Sequence, residues 1–230
     1  MRARHPDTKN IRAALGPHGL FLRGFVNFAE GEAAPRLADG RPAGSVLLVG
    51  NVGSCLWPAF SRWRETQPDR GGEDPLDNWS KAVLRPVAAA VDAAVWFPSD
   101  PPWQPFQQWA MRAEGLKASP LGILIHPVYG LWHGYRGALG FAERLEEEPF
   151  EARPHPCDRC PGKPCVTSCP AGAVHAGAFD VPACRSHLRT AEGQSGCMLS
   201  GCLARAACPV GAAYRYDDAQ LRFHMAALSL

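Results

Sequence analysis

Eight of the nine cysteines of this 230-residue chain lie between Cys157 and Cys208. They run Cys157-x2-Cys160-x4-Cys165-x3-Cys169-Pro170, then Cys184 alone, then Cys197-x4-Cys202-x5-Cys208-Pro209. The halves end alike, in Cys169-Pro-Ala-Gly-Ala and Cys208-Pro-Val-Gly-Ala, an internal repeat. Thiolates are ligands for soft metal centres, and two sets of four suit two cubane iron–sulfur clusters. A cubane needs thiolates at four corners. A short loop wraps three, and the fourth must come from elsewhere in the chain. Proline after the last cysteine removes an N–H and turns the chain away. Gly172 and Gly211 allow backbone conformations that a Cβ would resist. The spacing assigns Cys157, Cys160, Cys165 and Cys208 to one [4Fe-4S] cluster, and Cys169, Cys184, Cys197 and Cys202 to a second.

This run is similar to the bacterial iron–sulfur pattern, in which three close cysteines hold one cluster and the Cys before Pro holds the other. Two departures stand out: the third cysteine follows four residues instead of two, and the second half is stretched further. Two four-cysteine zinc sites and a disulfide framework remain as alternatives, although zinc does not call for paired Cys-Pro endings.

At 46% apolar and 20% charged residues the composition is that of a globular protein of one or two domains. A formal charge of +2 is no electrostatic footprint for nucleic acid. The cysteine-rich stretch carries five cations (Arg159, Lys163, Arg185, Arg189, Arg205) against Asp158, Asp180 and Glu192, enough to offset negative clusters. No signal peptide and no membrane-spanning run is found, so a cytoplasmic location is expected, where thiols stay reduced.

The elements that must position these groups follow from apolar periodicity and turn residues. A helix then a strand is expected within 1–30, a loop over 31–44, and a buried strand at Ser45–Asn51 entering a strand-to-helix turn. Cys55, in that turn, reads as a small buried hydrophobe. An exposed loop at 64–76 precedes a helix capped by Asp77, running through Trp79, Val83, Val87 and Val91 and kinked or split at Pro86. A strand at 93–97, a proline-rich loop and a helix over 106–114 come next. A third strand is expected at Leu121–His126, then a turn and a returning strand, with Trp132, Gly134 and Arg136 on one face and Leu131, His133 and Tyr135 on the other. His126, Tyr129, Trp132, Tyr135 and Arg136 fall within eleven residues. They suit a binding site, with a satisfied core His126 and a surface Arg136 as the alternative. An amphipathic helix over 138–148, a proline-punctuated linker over 149–156 and a helix near Asp218–Ala227 complete the chain. The expected domains are 1–153, 154–213 and a helical tail over 214–230.

A small α/β domain followed by two such cysteine sets, with Cys184 isolated between the halves, resembles epoxyqueuosine reductase. In that family the isolated cysteine is a ligand of the second cluster, which supports Cys184. Separately, Ile125-His-Pro-Val-Tyr-Gly-Leu-Trp-His-Gly-Tyr-Arg-Gly resembles the His-Pro-x-Phe-Gly-x-Trp-x-x-x-Arg-Gly stretch of the cobalamin-processing proteins of the methylmalonic aciduria type C family. The resemblance implies an α+β chain, with a flavin-reductase/nitroreductase-like α/β domain followed by a small bacterial-ferredoxin-like two-cluster domain. It also implies cobalamin as the cofactor. His126, Tyr129 and Arg136 would then act on substrate, and Trp132 and Tyr135 would line the cofactor pocket. The chain ends soon after its last cysteine, without the helical-repeat extension many epoxyqueuosine reductases carry, and its near-neutral charge argues against tRNA.

Three functions compete. The first is a corrinoid-dependent or corrinoid-processing reductase, fed by a ferredoxin- or flavodoxin-type reductant and acting on a corrinoid or small-molecule substrate. The second is a ferredoxin-like electron carrier, with Trp57 and Trp103 as docking aromatics. The third, a flavin enzyme, ranks behind, since no decisive phosphate-binding loop is present. A redox sensor lacks a DNA-binding helix pair.

Overall fold

The computed structural model describes residues 8–146 and 154–228. They form two compact units: 8–115 with 134–146, and 116–133 with 154–228. The chain therefore leaves the first unit after Gly115, contributes 116–133 to the second, and returns at Gly134.

The first unit centres on a four-stranded sheet ordered β1-β2-β6-β3. Its strands are β1 (Phe21–Asn27), β2 (Ser45–Val52), β3 (Ala94–Trp96) and β6 (His133–Phe141). β2 is buried at every position, as its unbroken apolar run requires of an inner strand. β1 pairs antiparallel with β2, and its register shifts between Leu22 and Phe25. That bulge spans Arg23 and Gly24, where φ is 109°. A Cβ on Gly24 would come within 3.2 Å of Ala113, so α4 (Phe106–Glu114) lies close against the strand.

Three more helices pack in this unit: α1 (Thr8–Leu15), α2 (Trp57–Thr66) and α3 (Pro75–Ala90). The expected helix-then-strand start, the inner strand, the strand at 93–97 and the helix over 106–114 are all observed. The turn after β2 leads straight into α2, as a plain strand-to-helix connection. Four expectations are corrected. α2 runs on to Thr66, into the stretch read as loop. Asp77 lies in the first turn of α3, and Asp74 takes the cap position. Pro86 does not split α3 into two helices, because Trp79, Ser80, Val83, Leu84, Val87 and Ala88 hold it through a buried face. Cys55 is exposed rather than buried.

The largest correction is at 138–148. Residues up to Phe141 belong to β6, with Ala94 opposite Gly140, Val95 opposite Leu139 and Trp96 opposite Ala138. A short apolar run has no period of its own to separate helix from strand, and pairing decides it. The end of that expected helix, and most of the expected linker, lie outside the described residues.

In the second unit, the expected third strand shrinks to β5 (Leu124–Ile125). It pairs with β4 (Lys117–Ala118) in a separate two-stranded sheet. The remainder is short helices: α5 (Pro164–Thr167), α6 (Val181–Leu188), α7 (Ala191–Ser195), α8 (Cys197–Ser200), α9 (Leu203–Ala206) and α10 (Asp218–Ala226). α10, the helix expected near the C-terminus, packs on α8. Leu121, Ile125, Leu131, Val174 and Ala204 form an apolar core together with Cys165 and Cys208. Among the described residues no helix is long and apolar enough to cross a membrane.

Candidate cysteine-based redox site

Short helices and the turns between them present the cysteines. Cys157 lies in a 3-10 turn over Pro156–Arg159, and Cys160 follows it. Cys165 opens α5, after Lys163 at φ 39°, a left-handed conformation that few non-glycine residues adopt. Cys208 follows α9. These four line one small pocket with Leu121, Ile125, Leu131, Lys163 and Val210. Burial, and then the neighbouring thiols of Cys208, Cys165 and Cys160, push the Cys157 thiol up to about 11, against the pull of Lys163. Burial raises Cys165 and Cys208 as well. Thiols crowded in this way resist ionisation until a cation takes the place of their protons.

The other four also act on one another. Cys184, on α6, is raised by burial and then by Cys169 and Cys197. Cys202 caps α9, and its sulfur accepts the Arg205 N–H at 3.4 Å. Burial raises the Cys202 thiol, and Cys197 and Cys184 add to the effect. All nine cysteines are free thiols. Among the described residues no three His, Cys, Asp or Glu side chains are gathered tightly enough for a single metal ion.

The five residues of the His-Pro-Val-Tyr-Gly stretch and its continuation are divided between the units. His126 Nδ1 accepts the N–H groups of Val128 (3.0 Å) and Tyr129 (3.1 Å), which assigns the neutral ring's proton to Nε2. Its ring stacks on Tyr129 at 4.2 Å, and Tyr129 meets Tyr214 edge-on. Trp132 is 1% exposed, edge-on to Tyr216 and covered by the Arg205 guanidinium at 4.3 Å. Tyr135 and Arg136 belong to the first unit. The Tyr135 hydroxyl donates to Glu114 Oε2, and Arg136 pairs with Asp77 at 3.6 Å. The structure thus brings His126 and Tyr129 together, while Trp132, Tyr135 and Arg136 each have a protein partner.

Two groups escaped sequence reasoning. Arg23, at the β1 bulge, makes a bidentate pair with Glu114 (3.0 and 3.1 Å) and donates to the Asn51 carbonyl at 3.1 Å. Nothing in the sequence singles out either residue. Arg205 was visible only as one of five cations, although its place three residues from both Cys202 and Cys208 is a usable signal.

No protein-family model matches this chain. No curated protein matches it either. Solved structures do. A B12-trafficking protein CblC from C. elegans, a human MMACHC homologue, is similar with TM-score 0.53 and 15% identity over 94% of this chain and 91% of that one. Epoxyqueuosine reductase from Streptococcus thermophilus is similar with TM-score 0.56 and 14% identity, over 92% of this chain and 68% of that one. At such identities the likeness is one of fold, and the α+β class is the one expected.

Proposed function

We propose that the chain is an iron–sulfur redox protein with two [4Fe-4S] clusters that passes single electrons to an acceptor held by its α+β fold, with a corrinoid as that acceptor. The observation that carries this reading is the pocket lined by Cys157, Cys160, Cys165 and Cys208, drawn from both ends of the cysteine-rich stretch. The donor set fits a cluster: thiolates only, ringed by Leu121, Ile125 and Leu131, which keep water out. Cys169, Cys184, Cys197 and Cys202 would hold the second. Bound there, the clusters supply one-electron transfer, fed by a ferredoxin- or flavodoxin-type protein. Flavin ranks behind the corrinoid, and nucleic acid is not an expected partner.

For the corrinoid the fit is narrower. Trp132 and Tyr135, expected to line its pocket, are taken up by Arg205 and by Glu114. Arg136 likewise pairs with Asp77, and His126 and Tyr129 remain as candidates. The His126 Nε2–H is the proton this turn offers. The fold is shared with a B12-trafficking protein and with a reductase, which favours corrinoid or redox chemistry. A plain electron carrier is the second reading, favoured by Trp103, which is 75% exposed and suits docking to a partner.

The test is an anaerobic titration of the cluster-loaded protein with cobalamin, followed by absorbance. A saturable shift of the corrinoid bands, then cobalt reduction on adding dithionite, is expected. Unchanged bands at high micromolar cobalamin with intact clusters would replace the corrinoid reading with the carrier.

A further inference from the structure

The spacer Pro161-Gly162-Lys163-Pro164 separates the second and third cysteines of the first set. Gly162 and Lys163 are both left-handed, at φ 68° and 39°. Glycine adopts that conformation freely, whereas a lysine is strained in it. The turn holds Lys163 there all the same. Pro164 follows it and opens α5, and the Lys163 carbonyl accepts the Val166 N–H at 2.8 Å. A lysine kept where glycine would sit without strain points to a use for its side chain.

Lys163 lines the small pocket together with Cys157, Cys160, Cys165 and Cys208. Burial, first of all, raises the Cys157 and Cys165 thiols, and the Lys163 charge opposes it at both. Arg215 acts in the same sense on Cys208, and Arg185 on Cys184 in the other set. Lys163 therefore serves two thiols of one set, one on each side of its spacer. Among the described residues no carboxylate pairs with it. Its ammonium is a compact charge on a flexible stem, able to turn toward an anion in the pocket.

We propose that Lys163 is the countercharge of the cluster held by Cys157, Cys160, Cys165 and Cys208, and sets that cluster at a higher reduction potential than it would have without the charge. This rests on the two-cluster reading. An electron added to a cluster makes it more negative, so a cation beside the site favours the reduced state over the oxidised one. Lys163 is half-buried, so water and salt screen part of its field and the effect is moderate. The same screening confines the effect to the nearer cluster.

The test compares wild type, Lys163→Met, Lys163→Gly and Lys163→Arg, purified anaerobically, by iron and sulfide content and by redox titration followed by electron paramagnetic resonance. Equal iron is expected in all four. In Lys163→Met one of the two couples should show a reduced-to-oxidised ratio about threefold lower at a fixed potential, equivalent to about 28 mV for a one-electron couple. The other couple should move less than half as far. Lys163→Gly removes the charge and the strain together, and should shift as Lys163→Met does. Lys163→Arg keeps the charge and should shift less than half as far. Unchanged potentials in a fully loaded Lys163→Met would overturn the proposal. So would an equal shift of both couples, or a shift in Lys163→Arg as large as in Lys163→Met, which would trace the effect to packing. If Lys163→Met loses its clusters, Lys163→Gln is read by the same criteria. A wild-type protein that takes up no iron would instead sink the two-cluster reading beneath it.

Discussion

At Glu114 three polar side chains meet in a place with little water. Arg23 is 4% exposed, its guanidinium also lies 5.3 Å over the Tyr135 ring, and the Tyr135 hydroxyl adds a bond to the same carboxylate. Burial pushes the Glu114 carboxyl above its usual range, against the opposing pull of Arg23 and Tyr135. A carboxyl raised on folding binds its proton more tightly when folded. Its contribution to stability is therefore full below the ordinary glutamate range and lost as pH rises through the raised value. Glu114→Gln should abolish that slope in the pH dependence of urea unfolding. It should also cost about 3 kcal/mol or more at neutral pH, by stranding Arg23. Tyr135→Phe, losing a hydrogen bond to a charged acceptor, should cost about 2 kcal/mol in the same assay. A loss within error would mean that water replaces the hydroxyl freely. The sequence marks Tyr135 but not its meeting with Arg23 and Glu114, because a bulge in β1 turns Arg23 inward and the helix end brings Glu114 to it.

Among the elements, the two Cys-Pro-x-Gly-Ala repeats look equivalent in sequence and are not so in space. Both glycines are left-handed, Gly172 at φ 60° and Gly211 at φ 70°. A Cβ on Gly172 would meet nothing within 4 Å, whereas on Gly211 it would fall 2.3 Å from the Tyr129 backbone. The reverse clash holds for Gly130, whose Cβ would lie 1.9 Å from the Val210 carbonyl oxygen. The His126–Gly130 turn and the Cys208–Gly211 turn thus touch backbone to backbone. Gly172→Ala should cost about 1 kcal/mol, for its conformation alone. Gly211→Ala should cost at least about 3 kcal/mol, and should lower cluster occupancy at Cys208. Equal unfolding midpoints for the two variants would contradict the contact. The repeat marked both glycines, but which one abuts a neighbour depends on where residues 126–130 run.

For the whole molecule, the consequence lies in how the chain is divided. Residues 116–133 belong to the second unit although they precede the last strand of the first. Leu121, Ile125 and Leu131 are buried against Cys165, Val174, Ala204 and Cys208. A chain cut at 153 would leave those three side chains uncovered. It should bind a hydrophobic dye and self-associate, and a monomeric, dye-silent fragment would refute the division. At the same scale, the two-cluster reading predicts about eight irons and eight sulfides per chain. Cys208→Ala and Cys202→Ala should each lose about half of them. Cys55→Ser, at an exposed thiol far from both sets in sequence, should lose none.

What the sequence determined by itself was local chemistry and strong local pattern. The eight thiols with their repeat, the inner strand Ser45–Val52 and the helix Phe106–Glu114 follow from ligand type, an unbroken apolar run and helical spacing, all encoded within a few residues. Tertiary structure decided the rest. Ala138–Phe141 is strand because Ala94–Trp96 lies beside it. Pro86 stays within one helix because a buried face holds α3 together on both sides of it. Tyr135 meets Glu114 and Trp132 meets Arg205 across 21 and 73 residues of chain, which only the fold brings together. Contacts between residues so far apart leave no mark in local spacing, since each partner alone satisfies the same pattern as many other polar residues.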